Sequence, residues 1–290
     1  MKSIKRATIV IPTYNRANYL DMTLRSIKNQ EDATFETIVV DDGSSDNTFE
    51  IVSKYADELN LRYFFQEDRG NRTCLARNLG ISHAEGEIIV FIDCGMILKS
   101  DCISRHIRLH DESMEQAAVI GYAYGFDQYC PNIEELISFI DMEDFDDTIR
   151  RLEREGLFKD MRQKIYDRGN FQINEMPAPW AFFITCNCSV KKSVLDKVGY
   201  FDQKLDFNWG VEDLELGFRL WKNRVKFIVG NAVAIHYPHE ADMQEKFESE
   251  KVNKNYFHLK HDCIETKLFL DCGFLDLNDR ILVYSNSIMI

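Results

Sequence analysis

Residues 36–46 read ETIVVDDGSSD. A short β-branched run, Thr37 to Val40, stops on two aspartates and a turn. A run of that length bounded by turn formers reads as a strand, and Asp46 or Ser45 stands where a helix cap belongs. The next apolar positions, Phe49, Val52, Ala56 and Leu59, recur at helical spacing. The same alternation extends outward. ATIVIP (7–12) reads as a strand, and the segment after it places Leu20, Leu24 and Ile27 on one side of a helix. LRYFF (61–65) is a third strand, TCLARNLGISHA (73–84) a helix stopped near Gly86, and EIIVFI (87–92) a fourth strand. Strands alternating with helices predict an α/β fold with a mainly parallel, Rossmann-like sheet covered by helices on both faces. Ligands of such sheets bind outside the carboxyl ends of the strands. Three of those ends are polar here: PTYNR, DDGSSD and DCG.

Composition narrows the ligand. The 290 residues carry 48 acids against 35 lysines and arginines, a net charge of −13. Nucleic-acid binding needs a basic face, so a general nucleic-acid partner is excluded. An anionic ligand would need local cations or a metal ion. The eight cysteines form no CxxC pair, so a zinc ribbon is not expected and buried reduced thiols are. No apolar run approaches the roughly 18 residues of a membrane span, and no signal peptide is expected ahead of the first strand. A cytoplasmic location is the default expectation, with peripheral membrane contact left open.

The middle of the chain changes character. Residues 131–176 are rich in acids and arginines, with helical stretches IEELISFI and DTIRRLEREGLFKDMRQKIYDR. They read as a helical insertion packed on the core. Beyond them, PAPWAFFITCNCSV leads as a strand into the helix KSVLDKV and a turn at Gly199. WGVEDLELGFRLWKN then places Leu214, Phe218, Trp221 and Val225 on one helical face and the i,i+4 pair Glu215 and Arg219 on another. The tail from about residue 243 reads as mostly helical.

Several residues invite chemistry. Asp42 can accept from a uracil imide or a ribose diol; an aspartate-rich turn is the plain alternative. Arg69, Arg72 and Arg77 cluster at a strand's carboxyl end, a setting suited to a diphosphate, or they are solvated or paired with acids. Trp180 is expected in the core. Trp209, beside Gly210 and two acids, suits stacking on a sugar ring.

IVIPTYNR, IVVDDGSSDNT and ARNLGISHAEGEIIVFID, in that order, resemble the inverting family 2 glycosyltransferases of the GT-A fold. NCSVKKSVLDKVGYFD and WGVEDLELGFRLW resemble the galactosyltransferase-type C-terminal region of related enzymes, with its WGxED motif. The resemblance covers residues 5–110 and 177–240. It implies a nucleotide-binding half (1–110) and an acceptor and catalytic half (177–242); the stretches it leaves unmatched read, from their composition and pattern, as a helical insertion expected to shape the acceptor site (111–176) and a helical C-terminal extension (243–290). The resemblance further implies that Pro12, Thr13, Tyr14 and Arg16 line a nucleotide pocket, that Asp42 holds uracil, and that Arg77 and Asp93 lie at the diphosphate, where the cluster at the strand end also places Arg69 and Arg72. Trp209, Gly210 and Glu212 would hold the transferred sugar or acceptor, and Asp213 would be the catalytic base. A UDP-sugar donor follows, with a glycan, lipid-linked sugar, peptide or small metabolite as acceptor.

The chain departs from the family at one point. Asp93 stands first in the D-x-D metal motif, but the second acid is Gly95. Three readings stay open. Asp93 and His236, from AIHYPHE, hold a divalent ion, Mn²⁺ rather than Mg²⁺ because of the nitrogen donor. Arginines neutralise the diphosphate without a metal. Or the chain is a silent sugar-nucleotide-binding subunit.

Overall fold

The computed structural model describes residues 5–31, 33–127, 133–239 and 243–288; Cys130 lies outside them. The strands are β1 (Ala7–Thr13), β2 (Phe35–Asp41), β3 (Leu61–Phe65), β4 (Ile88–Ile92), β5 (Met96–Leu98), β6 (Ala117–Tyr124), β7 (Asn187–Lys191) and β8 (Lys226–His236). They form one eight-stranded sheet in the order β3-β2-β1-β4-β7-β6-β8-β5. The first four strands are mutually parallel, as the alternation predicted. β7 runs antiparallel to both β4 and β6, and β5 antiparallel to β8. The central strands are buried along nearly their whole length. That explains their continuous apolar runs: a sheet covered on both faces needs no polar alternation.

The helices are α1 (Ala17–Lys28), α2 (Thr48–Tyr55), α3 (Thr73–His83), α4 (Cys102–Glu112), α5 (Ile133–Phe139), α6 (Phe145–Glu155), α7 (Gln163–Arg168), α8 (Lys192–Val198), α9 (Glu212–Lys222), α10 (Met243–His261), α11 (Ile264–Phe269) and α12 (Leu277–Ile288). Helix α3 packs on β1 and β2, and α4 on β6 and β8. The α1 stripe holds, with Leu20, Leu24 and Ile27 fully buried. In α2 the buried pair is Ile51 and Val52, while Phe49 is exposed. Asp46 caps twice: its carboxylate accepts from Thr48 N at 3.1 Å and from Ala17 N at 2.9 Å, fixing the starts of α2 and α1 together.

Two expectations for residues 111–176 need correction. The segment is not helical throughout, because Ala117–Tyr124 is β6, paired with β7 and β8 inside the sheet. Nor is 147–168 one helix. Gly156 adopts φ 66° and accepts the helical end of α6; its amide donates back to Glu153 O and Leu152 O. A left-handed C-cap of this kind stops a helix whatever the charge pattern beyond it.

In the C-terminal half, α9 buries Leu214, Phe218 and Leu220. Trp180 is fully buried, with its ring edge-on to Phe218 at 5.2 Å, Phe257 at 5.7 Å and Phe269 at 6.3 Å. It thereby joins α9 to the helices of the tail. Glu215 and Arg219 pair at 2.8 Å, and Lys260 and His261 of α10 close on the same carboxylate. Among the described residues no helix is long and apolar enough to cross a membrane.

Candidate active site

The chain runs β1, β2, β3 outward, then returns to place β4 on the other side of β1. The crevice at the carboxyl ends of β1 and β4 is therefore the point where strand order reverses, the preferred ligand site of such sheets. Two adjoining cavities open there, of about 670 and 390 Å³. The smaller reaches Pro12, Thr13, Tyr14, Arg16 and Asp42, and the larger reaches Asp213, Phe126 and Ile184. Arg77, Asp93, Trp209, Glu212, His236 and Lys246 line both.

Asp93 follows β4 directly, and what it grips is Arg77. The buried guanidinium donates to Asp93 Oδ1 and to Glu212 Oε1, each at 3.0 Å. One cation thus ties the end of β4 to the start of α9 across α3. Beside Glu212, Asp213 Oδ1 accepts from Leu214 N at 2.8 Å and Oδ2 from Thr185 N at 3.4 Å. Burial, then the adjacent Glu212, push the Asp213 carboxyl up to about 8, against the pull of Arg77. Of the two opposing influences on a carboxyl at a helix start, the favourable helix N-terminus is outweighed here by desolvation and a like charge. The residue before this pair, Val211, has φ 78°. A β-branched residue in the left-handed region is strained by roughly 1–3 kcal/mol and persists only where its surroundings enforce it. Here it turns the chain so that Glu212 and Asp213 both reach the cleft.

The strand-end pocket is more occupied than the sequence suggested. Asp41 closes its own turn, accepting from Gly43 N, Ser44 N and Tyr63 OH. Asp42 lines the smaller cavity, but its carboxylate already accepts from Arg72 N at 2.6 Å, from the Arg72 guanidinium at 3.0 Å and from Gln66 Nε2. A carboxylate has about four acceptor positions, so one is left for a ligand. Tyr14 sits at the rim, its hydroxyl bonded to Asp68 at 2.9 Å.

The three arginines have separate partners. Arg69 is exposed and pairs with Glu67. Arg72 is spent on Asp42. The first amides of α3 are not vacant either: Asn71 Oδ1 takes Thr73 N, and Asp206 takes Cys74 N at 2.8 Å and Leu75 N at 3.3 Å. Of the three arginines, only Arg77 lines the cavities. The sequence reading missed Lys246 of α10 and the capping Asp206.

Gly95 has φ 103° in the turn from β4 to β5, its amide donating to Thr23 Oγ1 at 2.9 Å. Only glycine adopts that conformation readily, so the second position of the motif is a backbone turn here. His236 ends β8 opposite Met96 and lines both cavities with Asp93. Burial, then His239, lower its imidazole to about 4, so it is neutral and competent as a ligand. Among the described residues, no group of three or more His, Cys, Asp or Glu is arranged to hold an ion. Asp93 and His236 supply two donors of suitable chemistry. That set fits an ion arriving with an anion that completes its coordination, and does not fit a resident structural ion.

The fold has known counterparts. A mannosyltransferase of Pyrobaculum calidifontis, solved in complex with GDP-Man and Mn²⁺, superposes with a TM-score of 0.63 at 17% identity, over 99% of this chain and 76% of that one. S. aureus TarS 1–349 in complex with UDP-GlcNAc gives 0.55 at 17% identity, over 97% and 72%. At such identities the likeness is one of fold, the GT-A arrangement. Validoxylamine A glucosyltransferase of Streptomyces hygroscopicus subsp. jinggangensis is 35% identical over 266 residues, 90% of this chain and 62% of that protein. Chondroitin synthase of Pasteurella multocida is 29% identical over 240 residues, 79% of this chain and 24% of that one. The chain spans only part of each relative's length. Residues 8–199, which carry β1 to β7, Arg77 and Asp93, match the Glycosyl transferase family 2, and to that family the chain belongs.

Proposed function

We propose that the protein transfers a hexose or N-acetylhexosamine from a UDP-sugar to an acceptor hydroxyl, with inversion and in a single displacement. The observation that carries this reading is the pair of joined cavities. One lies at the strand ends beside Asp42, the other contains Asp213, and Trp209 and Glu212 stand where they meet. A donor whose nucleotide fills the first would present its sugar at the junction, with the acceptor approaching from the second. The relatives named as a glucosyltransferase and a chondroitin synthase, and the TarS complex with UDP-GlcNAc, support a UDP-sugar and a carbohydrate-type acceptor. The segment 209–213 then acts as the galactosyltransferase-type WGxED region: Trp209 stacks on a sugar ring, Glu212 accepts from a sugar hydroxyl, and Asp213 takes the proton of the attacking hydroxyl.

A divalent ion bound with the diphosphate would stabilise the departing charge as a Lewis acid, and Asp93 and His236 are the residues that would hold it. Chelation should lower activity, and Mn²⁺ should restore it better than Mg²⁺. His236→Ala should raise the Mn²⁺ concentration needed for half-maximal activity. Full activity in excess EDTA would remove the ion from the mechanism. Gly95→Asp is a poor route to a full D-x-D site, because φ at that position disfavours any side chain.

The nucleotide end has its own test. Asp42→Ala should weaken UDP binding by about 1.5–3 kcal/mol, tenfold or more, as expected for a lost charge-assisted hydrogen bond. Arg69→Ala, which alters a solvent-facing side chain, should leave it unchanged. Calorimetry decides both. Equal affinity in Asp42→Ala and wild type withdraws the uracil assignment. Donor binding without donor hydrolysis or transfer would favour a silent subunit.

A further inference from the structure

Departure of a nucleoside diphosphate leaves negative charge in the cleft, and the cations lining the two cavities among the described residues are Arg16, Arg77 and Lys246. Arg77 is held at both ends, by Asp93 and Glu212. Arg16 lines only the smaller cavity, beside Tyr19 at 5.5 Å. Lys246 lies in the part common to both, with Asp93, His236 and Trp209. Its ammonium stands 4.7 Å from the centre of the Trp209 ring, and no carboxylate among the described residues pairs with it. Burial, then Arg16, lower its pKa, which is the setting of a cation that gains from an arriving anion.

Its position is fixed by the helix that carries it. Ser249 Oγ accepts from Trp209 N. Asn253 Nδ2 donates to Gly210 O at 2.8 Å and to Leu205 O at 3.1 Å. Residues 246, 249 and 253 recur at helical spacing on one side of α10, so the side that grips the 205–210 loop also delivers Lys246. We propose that Lys246 is the leaving-group residue of this chain. It contacts the diphosphate oxygens at the cavity junction and supplies positive charge there from the protein itself, in addition to that of any ion held by Asp93 and His236. The C-terminal helices are then part of the donor site as well as its scaffold. The inference rests on the UDP-sugar reading above.

The test compares UDP with uridine by calorimetry, in EDTA so that no ion contributes, with thermal melts to verify folding. Lys246→Gln should weaken UDP binding about tenfold or more and leave uridine binding unchanged, because uridine has no phosphate. Lys246→Arg, which keeps the charge, should stay within about threefold of wild type. If Lys246→Gln binds UDP as tightly as wild type, the inference is overturned while the donor reading stands. If Lys246→Gln weakens UDP and uridine equally, the lysine shapes the pocket without meeting the diphosphate, and the inference is again overturned. If the wild type binds no UDP even with Mn²⁺ present, the donor reading falls and takes this inference with it.

Discussion

Asp213→Asn should fold, bind UDP within about twofold of wild type, and turn over roughly 10²–10⁴ times more slowly, the usual contribution of general base catalysis. Asparagine keeps the shape and can keep the bond from Leu214 N, but it cannot take a proton. The pH profile separates this from mere misplacement. Catalysis needs the ionised carboxylate, so kcat/KM of the wild type should rise with pH through the elevated pKa of Asp213. That limb should lie well above the ordinary aspartate value of about 3.9 and be absent from the residual activity of the variant. Stability should move the other way. A carboxyl with a raised folded-state pKa favours the fold while protonated, and that contribution is lost as pH rises from the unfolded value through the folded one. Asp213→Asn should therefore melt increasingly above wild type between acid and mildly alkaline pH. A variant with wild-type turnover would end the proposed mechanism. One equally slow but with an intact acid limb would move the base elsewhere.

The same neighbourhood shows where sequence reading succeeds. The β-α alternation, the buried stripe of α1 and the Glu215–Arg219 pair are local patterns, set by residues a few positions apart, and the structure keeps them. What the sequence left unread has a shared cause. Arg69 pairs with Glu67 and Arg72 with Asp42, partners that the spacing of the arginines alone did not report. The amides at the start of α3 are taken by Asp206, 132 residues from Cys74 in sequence. No spacing rule reports such a partner. Lys246 belongs to a helix without a marked apolar stripe, so only its contact with the 205–210 loop reveals it. Strand β6 escaped for another reason: AAVIGYAY is buried almost throughout, and a short run buried on both sides carries no period to tell strand from helix.

The insertion offers the second large effect. Arg162 and Asp160 are both fully buried, with Arg162 Nη2 2.6 Å from Asp160 Oδ2. Arg162 Nε donates to Asp160 Oδ1 at 2.9 Å, and Nη1 to Phe182 O at 3.0 Å. Asp160 also accepts from Ala123 N at 3.2 Å. The pair therefore joins the stretch between α6 and α7 to β6 on one side and to the turn before β7 on the other. Arg162→Met leaves the Asp160 charge buried and uncompensated, which should cost about 3–5 kcal/mol. For a chain of this size that is a fall in Tm on the order of 10 °C, readable by calorimetry. Adding Asp160→Leu should recover much of the loss, because two apolar side chains replace an ion pair without stranding a charge. A Tm within about 2 °C of wild type would show that the pair contributes little. The guanidinium also lies 5.1 Å from the centre of the Phe126 ring, and Phe126 lines the cavity that holds Asp213. In the double variant, with stability recovered, any remaining rise in acceptor KM would report on Phe126. Recovery of both Tm and KM would mean that the insertion supports the cleft through stability alone. Recovery of Tm with a raised KM would mean that Arg162 also sets the shape of the acceptor side.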